Sequence, residues 1–341
     1  MSPSPPLTAA RGGLGAFLVS GLLLAFLGAI LPAWRYHIEP NFVLIGSYFL
    51  CQNLGLLVGG QFARGYLRKR GIGRGLVLGC ALAAAGLLTL GFFSPPAHFL
   101  WRLGGLFLTG LAAGFVHSGA FHAIVPAYDH EPASTLSLAG VLFNVGALVA
   151  VLVVASTFFD ITITWILVIL ALAPAIAAWL YSRSEKWVAV EVSEPSWQET
   201  LRDFRTPAAV LFSLLLFFQF GNEGAVAGWL SLYLIQRLGL SPVTSLLGRV
   251  AGLGLMRRVR PGRLLAGSVL TQMFGCLILA STDNLFGAIT AVILLSGGFA
   301  FILPLVMVQI AGRFPYFHPG FFSGIFSLAM TGGVLAPASV G

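Results

Sequence analysis

Nine stretches of this chain contain no Asp, Glu, Lys or Arg: residues 12–34, 40–63, 75–101, 103–128, 132–159, 161–182, 264–282, 284–312 and 314–341. Each is close to or longer than the ~20 residues that carry a helix across the core of a bilayer. Only 9% of the 341 residues are charged, against roughly a quarter in soluble chains. A water-soluble domain and a disordered chain are therefore excluded. A secreted disulfide scaffold is excluded as well, because Cys51, Cys80 and Cys276 lie scattered in apolar segments without pairing or metal spacing. The expected fold class is an all-α polytopic membrane protein. No cleavable signal peptide is expected, since the apolar run after residues 1–11 is too long for one.

Spans fall near residues 14–34, 42–63, 75–94, 100–126, 134–158, 160–181, 208–234, 242–257, 264–281, 285–312 and 321–341. Positive charge sets their orientation, because Lys and Arg beside span ends resist translocation. With the Arg64, Arg68, Lys69, Arg70 and Arg74 loop in the cytoplasm, 16 of the 19 cations fall on that side. Arg35, Arg102 and Arg237 fall outside. The net charge of +8 thus reads as a topology signal rather than a nucleic-acid surface. It places the N-terminus in the cytoplasm and the protein in the plasma or inner membrane. Span 242–257 is short, about 24 Å at ~1.5 Å per residue. A twelfth span and part of the eighth are expected to be missing.

Residues 183–207 form the longest polar stretch, holding Arg183, Glu185, Lys186, Glu191, Glu194, Glu199, Arg202, Asp203 and Arg205. They are expected to link a six-helix half, 12–182, to a second half, 208–341, of which five spans are visible. The linker includes a short amphipathic helix near Trp197. An internal repeat supports the two halves. At an offset of 189 residues Gly59 meets Gly248, Arg68 meets Arg257, Lys69 meets Arg258, Gly73 meets Gly262 and Arg74 meets Arg263. Both loops are expected on the cytoplasmic side, as gate loops. Repeated halves that bind solute near the midplane are common in transporters.

The two halves, the central linker and the Gly/Arg-rich loops resemble the major facilitator superfamily. That family's loop motif carries an aspartate, which the run from Gly59 to Arg74 lacks. The cytoplasmic latch made by that acid is therefore not expected here. A narrower resemblance lies in Phe220-Gly-Asn-Glu-Gly-Ala-Val-Ala-Gly-Trp-Leu-Ser-Leu-Tyr. Gly221, Glu223, Gly228, Trp229 and Tyr233 match the fucose-permease-like branch. The resemblance implies a small sugar as cargo, moved by alternating access, in several members together with protons. That branch's symporter has carboxylates in spans 1 and 4. Here span 1 has none and span 4 carries His117 and His122.

Glu223 is the one acid placed well inside a span, about 22 Å from the cytoplasmic end at ~1.5 Å per residue. An ionised carboxylate at that depth costs at least a few kcal/mol unless it faces a cavity or a partner. It could accept a proton or a sugar hydroxyl, or bond to a neighbouring helix. His117 shares the first two roles, since imidazole titrates near neutrality. The alternative is a neutral imidazole bonded to a carbonyl or hydroxyl. His117 and His122 are five residues apart, about 140° around a helix, so they do not form a two-His metal site. Gln52, Asn53, Asn144, Gln219 and Asn222 are mid-span amides that could bind hydroxyls or tie helices together. Trp229 could stack on a sugar ring. Trp34, Tyr36, Trp101, Trp179 and Tyr233 read as interfacial belt residues, and Arg102 as an outer anchor.

No phosphate-cradling loop, metal constellation or nucleophile–His–acid set is present in the sequence. No cofactor is expected, and the chain is not expected to be an enzyme. The expected partners are a small-molecule substrate, the lipid bilayer and protons, with no nucleic acid, for a monomer. A lipid or hydrophobic-drug cargo on the same fold, a membrane-embedded enzyme and a solute sensor are the competing readings.

Overall fold

The structure, a computed structural model, describes residues 6–35, 41–130, 132–158, 160–183, 205–238, 264–313 and 319–340. All the regular structure among them is helical. The first group comprises α1 (Pro6–Arg35), α2 (Phe42–Arg70), α3 (Ile72–Phe92), α4 (Phe99–His130), α5 (Pro132–Thr157) and α6 (Ile163–Ser182). The second comprises α7 (Pro207–Leu238), α8 (Leu264–Ser281), α9 (Leu285–Arg313) and α10 (Pro319–Val340). Seven of the helices, α1 to α7, contain segments long and apolar enough to cross a membrane. Span 242–257 lies outside the described residues, as do the linker from 184 to 204 and the second basic loop.

The chain forms two compact units, with the main break between Val192 and Ser193. In the first, α1 packs on α4 and α5, α2 on α4, and α3 on α4 and α6. α1 is apolar around its whole circumference, and Leu22, Leu23, Phe26, Leu27 and Ile30 are fully buried. A helix with that pattern belongs at the centre of a bundle. α6 instead exposes Trp165, Ile169, Leu172, Ile176 and Leu180 at three- and four-residue spacing. A continuous apolar stripe of that kind is suited to lipid, where the helix already satisfies its own backbone.

The first basic loop is built from helix ends. Asn41 Oδ1 caps α2 by accepting from the Leu44 amide at 3.1 Å. The other end of α2 carries Arg68, Lys69 and Arg70 in its last turn, where cations complement the helix dipole. Gly71 then turns the chain at φ +87°, a conformation that glycine adopts without strain. Arg68, Lys69 and Arg74 are all exposed.

Two residues expected at the interface are instead interior. Trp34 is fully buried and meets Tyr48 edge-on, with ring centroids 5.6 Å apart. Arg102 is 3% exposed. Its Nε donates to the Tyr48 hydroxyl at 2.8 Å and an Nη to the Ala97 carbonyl at 2.6 Å. Its guanidinium also lies 5.7 Å from the centroid of the Tyr48 ring. The physical reason is rotation, not depth. Both residues sit at helix ends, but on faces turned toward α2, and the phenol gives the guanidinium an acceptor out of water. Trp101 and Trp179 are exposed as expected, and Trp179 lies 4.6 Å beneath Arg183. Because an orphaned buried donor costs more than a missing pair, Tyr48→Phe should destabilise the protein by about 1–3 kcal/mol. Tyr48→Phe with Arg102→Met should destabilise it less. Unfolding in mixed micelles read by tryptophan fluorescence checks the order.

Candidate functional site

In the first unit the polar side chains gather between α1, α2 and α4. Ser20 on α1 is fully buried, and its Oγ lies 3.1 Å from His117 Nδ1 on α4. Phe121 and Phe17 present ring edges to the imidazole at centroid distances of 4.8 and 6.0 Å. His117 is half-buried. A hydroxyl can donate to Nδ1 or accept from it, so Ser20 can hold the ring in either tautomer and in its protonated form. Ser20 carried no signal in the sequence, because serine in a membrane helix commonly bonds its own backbone.

Gln52 and Asn53 donate to backbone carbonyls. Gln52 is buried and donates to the Leu23 carbonyl of α1 at 2.8 Å. Asn53 donates to Phe49, one turn back in its own helix, at 2.9 Å. His122 Nδ1 lies 2.7 Å from the Ser118 carbonyl, which can only accept, so Nδ1 carries the proton. Asn144 on α5 is half-buried.

In the second unit α7 divides its faces sharply. Gly221 and Gly224 lie against Gly332, Gly333, Ala336 and Pro337 of α10. Trp229 is 8% exposed and donates from Nε1 to the Pro337 carbonyl at 2.8 Å, so its ring is held between helices. Gln219 is also buried. It donates to the Phe299 carbonyl of α9 at 3.4 Å and accepts from Gln272 of α8 at 3.2 Å. Asn222 and Glu223 are exposed, and Glu223 follows Gln219 by one turn on the same helix. Gln272 is the functional candidate that the sequence did not disclose.

Each unit therefore holds one titratable side chain near a buried polar residue: His117 beside Ser20 in the first, and Glu223 one turn after Gln219 in the second. Among the described residues no cluster of three His, Cys, Asp or Glu comes together. The three cysteines are free. Arg257, Arg258 and Arg263 lie outside the described residues.

The family model of the Major Facilitator Superfamily matches residues 13–337. The chain belongs to that superfamily, and it is an integral membrane protein with a transporter fold. Among solved structures it is similar to the nucleoside transporter NupG, at 13% identity and TM-score 0.71, over 96% of this chain and 90% of that one. It is similar to a bacterial homologue of the human lysosomal transporter Spinster, at 16% identity and TM-score 0.71, over 99% of this chain and 82% of that one. It is also similar to the E. coli fucose:proton symporter FucP, at 16% identity and TM-score 0.63, over 98% and 91%. At these identities the likeness is one of fold. No curated protein matches the sequence.

Proposed function

We propose that this protein is a secondary transporter that moves a small polyhydroxylated solute, a monosaccharide foremost, by alternating access. Glu223 and His117 are the groups that would couple transport to protons. The observation that carries this reading is Glu223: an exposed acid in the middle of an apolar helix, beside exposed Asn222 and one turn after buried Gln219. A carboxylate held there can take a solute hydroxyl or a proton. Two of the similar structures are a nucleoside transporter and a fucose:proton symporter, which agrees with a sugar-bearing cargo. The charge asymmetry favours a cytoplasmic N-terminus in a plasma or inner membrane. The protein acts as a monomer with no cofactor.

A second reading, a lipid or hydrophobic-drug cargo, is favoured by one observation. Gln52, Asn53, Gln219 and Trp229 donate to backbone carbonyls within their own units, which leaves fewer polar groups for a sugar. Uptake of labelled monosaccharides and nucleosides into proteoliposomes, with and without an acid-outside gradient, separates the two. Saturable uptake of a sugar supports the first reading, and its accumulation under the gradient adds proton coupling. No sugar or nucleoside movement above empty vesicles, with transfer of a fluorescent lipid analogue, replaces it with the second.

A further inference from the structure

The amides behind Glu223 have a fixed polarity. The Phe299 carbonyl can only accept, so the Gln219 Nε2 must face it, at 3.4 Å. That orientation turns Oε1 toward α8, where the Gln272 Nε2 donates to it at 3.2 Å. Neither amide can flip without placing two acceptors or two donors face to face. One Nε2 proton of Gln219 is then left for the Glu223 carboxyl, which follows one turn later on the same helix. Both glutamines are buried, so an amide that loses its partner is left unsatisfied out of water.

The helices are also shaped to admit Gln272. A methyl at Gly298 of α9 would meet the Gln272 side-chain stem and the Ser268 carbonyl. The missing Cβ leaves the gap through which the side chain crosses toward Gln219. No Asp, Glu, Lys or Arg lies between residues 264 and 282, between 284 and 312, or from 314 onward. The segments that include α8, α9 and α10 therefore carry Asp, Glu, Lys or Arg only at their ends, as Asp283 and Arg313.

We infer that Gln272 is the positioning residue of the Glu223 site, holding the Gln219 amide so that Glu223 serves as an acceptor for hydroxyl or amine protons of the solute. The inference rests on the proposed transport function for its solute, and on geometry alone for Gln272. It follows that the site selects donors and disfavours solutes that present a carbonyl or ether oxygen at that position.

Gln272→Met tests it, because methionine keeps the stem across Gly298 and deletes the donor. In the reconstituted chain, the infrared carboxyl bands of Glu223 are those lost in Glu223→Gln. Gln272→Met should shift them, with the protonated C=O stretch moving to higher wavenumber as its hydrogen bond weakens. The KM of the transported polyol should rise about two- to tenfold, the range of one neutral hydrogen bond, with the maximal rate nearly unchanged. If Gln272→Met is not monodisperse in detergent, Gly298→Ala displaces the same stem from α9 and should give the same band shift. A folded variant of either kind whose Glu223 bands stay in place overturns the inference. Should the wild type move no polyol, the proposed function fails while the infrared bands still decide the role of Gln272.

Discussion

Glu223→Gln is expected to abolish gradient-driven accumulation while leaving exchange of solute across the membrane intact. Glutamine is nearly isosteric with a protonated glutamate and can still meet Gln219, but it cannot give up a proton. A one-unit pH gradient stores about 1.4 kcal/mol per proton, enough for about tenfold accumulation at one proton per solute. The sign is fixed by direction. With acid outside, Glu223 loads its proton from the outer solution and releases it inside, so solute concentrates inside. In Glu223→Gln the ratio should fall to about one, a tenfold loss, while counterflow of labelled against unlabelled solute continues. If Glu223 binds hydroxyls and carries no proton, the variant will keep its accumulation and raise KM instead. Unchanged accumulation with unchanged KM would remove Glu223 from the mechanism, and His117→Gln would then be the variant to measure. Where both groups contribute, the two losses should not add, because residues acting as one unit show strong coupling.

The class of the protein was legible because the exclusion of charge from a bilayer is a coarse, length-dependent rule. Ten helices overlie ten of the expected spans among the described residues, and the short span 242–257 lies outside them. What the sequence could not show was rotation about a helix axis. Trp34 and Arg102 stand at helix ends, where depth alone puts them in the interfacial belt, yet both turn inward onto Tyr48. Glu223 stood out because an acid in an apolar run is rare and costly. Gln272 did not, because an isolated amide in a membrane helix reads as one of many helix–helix ties. Its place becomes visible only when Gly298 and the Phe299 carbonyl are seen beside it. Ser20 and His117, 97 residues apart, are joined by packing of α1 on α4, which no local pattern encodes.

Gly114→Val is expected to cause a large loss of folded protein. Helices α2 and α4 cross through two pairs of glycines, each four residues apart. A Cβ on Gly110 would meet the Gln52 carbonyl and the Leu56 amide. One on Gly114 would meet the Leu56 carbonyl and the Gly60 amide. From the other side, Gly55 lies against the Phe107 carbonyl and the Leu111 amide, and Gly59 against Leu111. Every one of these neighbours is backbone, so no side chain can swing away and the helices themselves must part. In lipid, helix association depends on close packing, because the tails are as apolar as the side chains. Parting α2 from α4 therefore forfeits dispersion contacts without a compensating hydrophobic gain. The cost should reach or exceed the ~3 kcal/mol upper end of ordinary overpacking. Gly104 supplies the control, since it lies on the same helix with nothing within 4 Å of its added Cβ. Gly104→Ala should leave the protein unchanged or stabilise it by up to about 1 kcal/mol through helix propensity. Monodisperse yield in detergent and the thermal midpoint read both variants. Equal behaviour of Gly114→Val and Gly104→Ala would mean that the α2–α4 crossing is not what holds the unit together. A selective loss at Gly114 would tie the position of Gln52, whose carbonyl touches Gly110 while its amide reaches Leu23 of α1, to that same crossing.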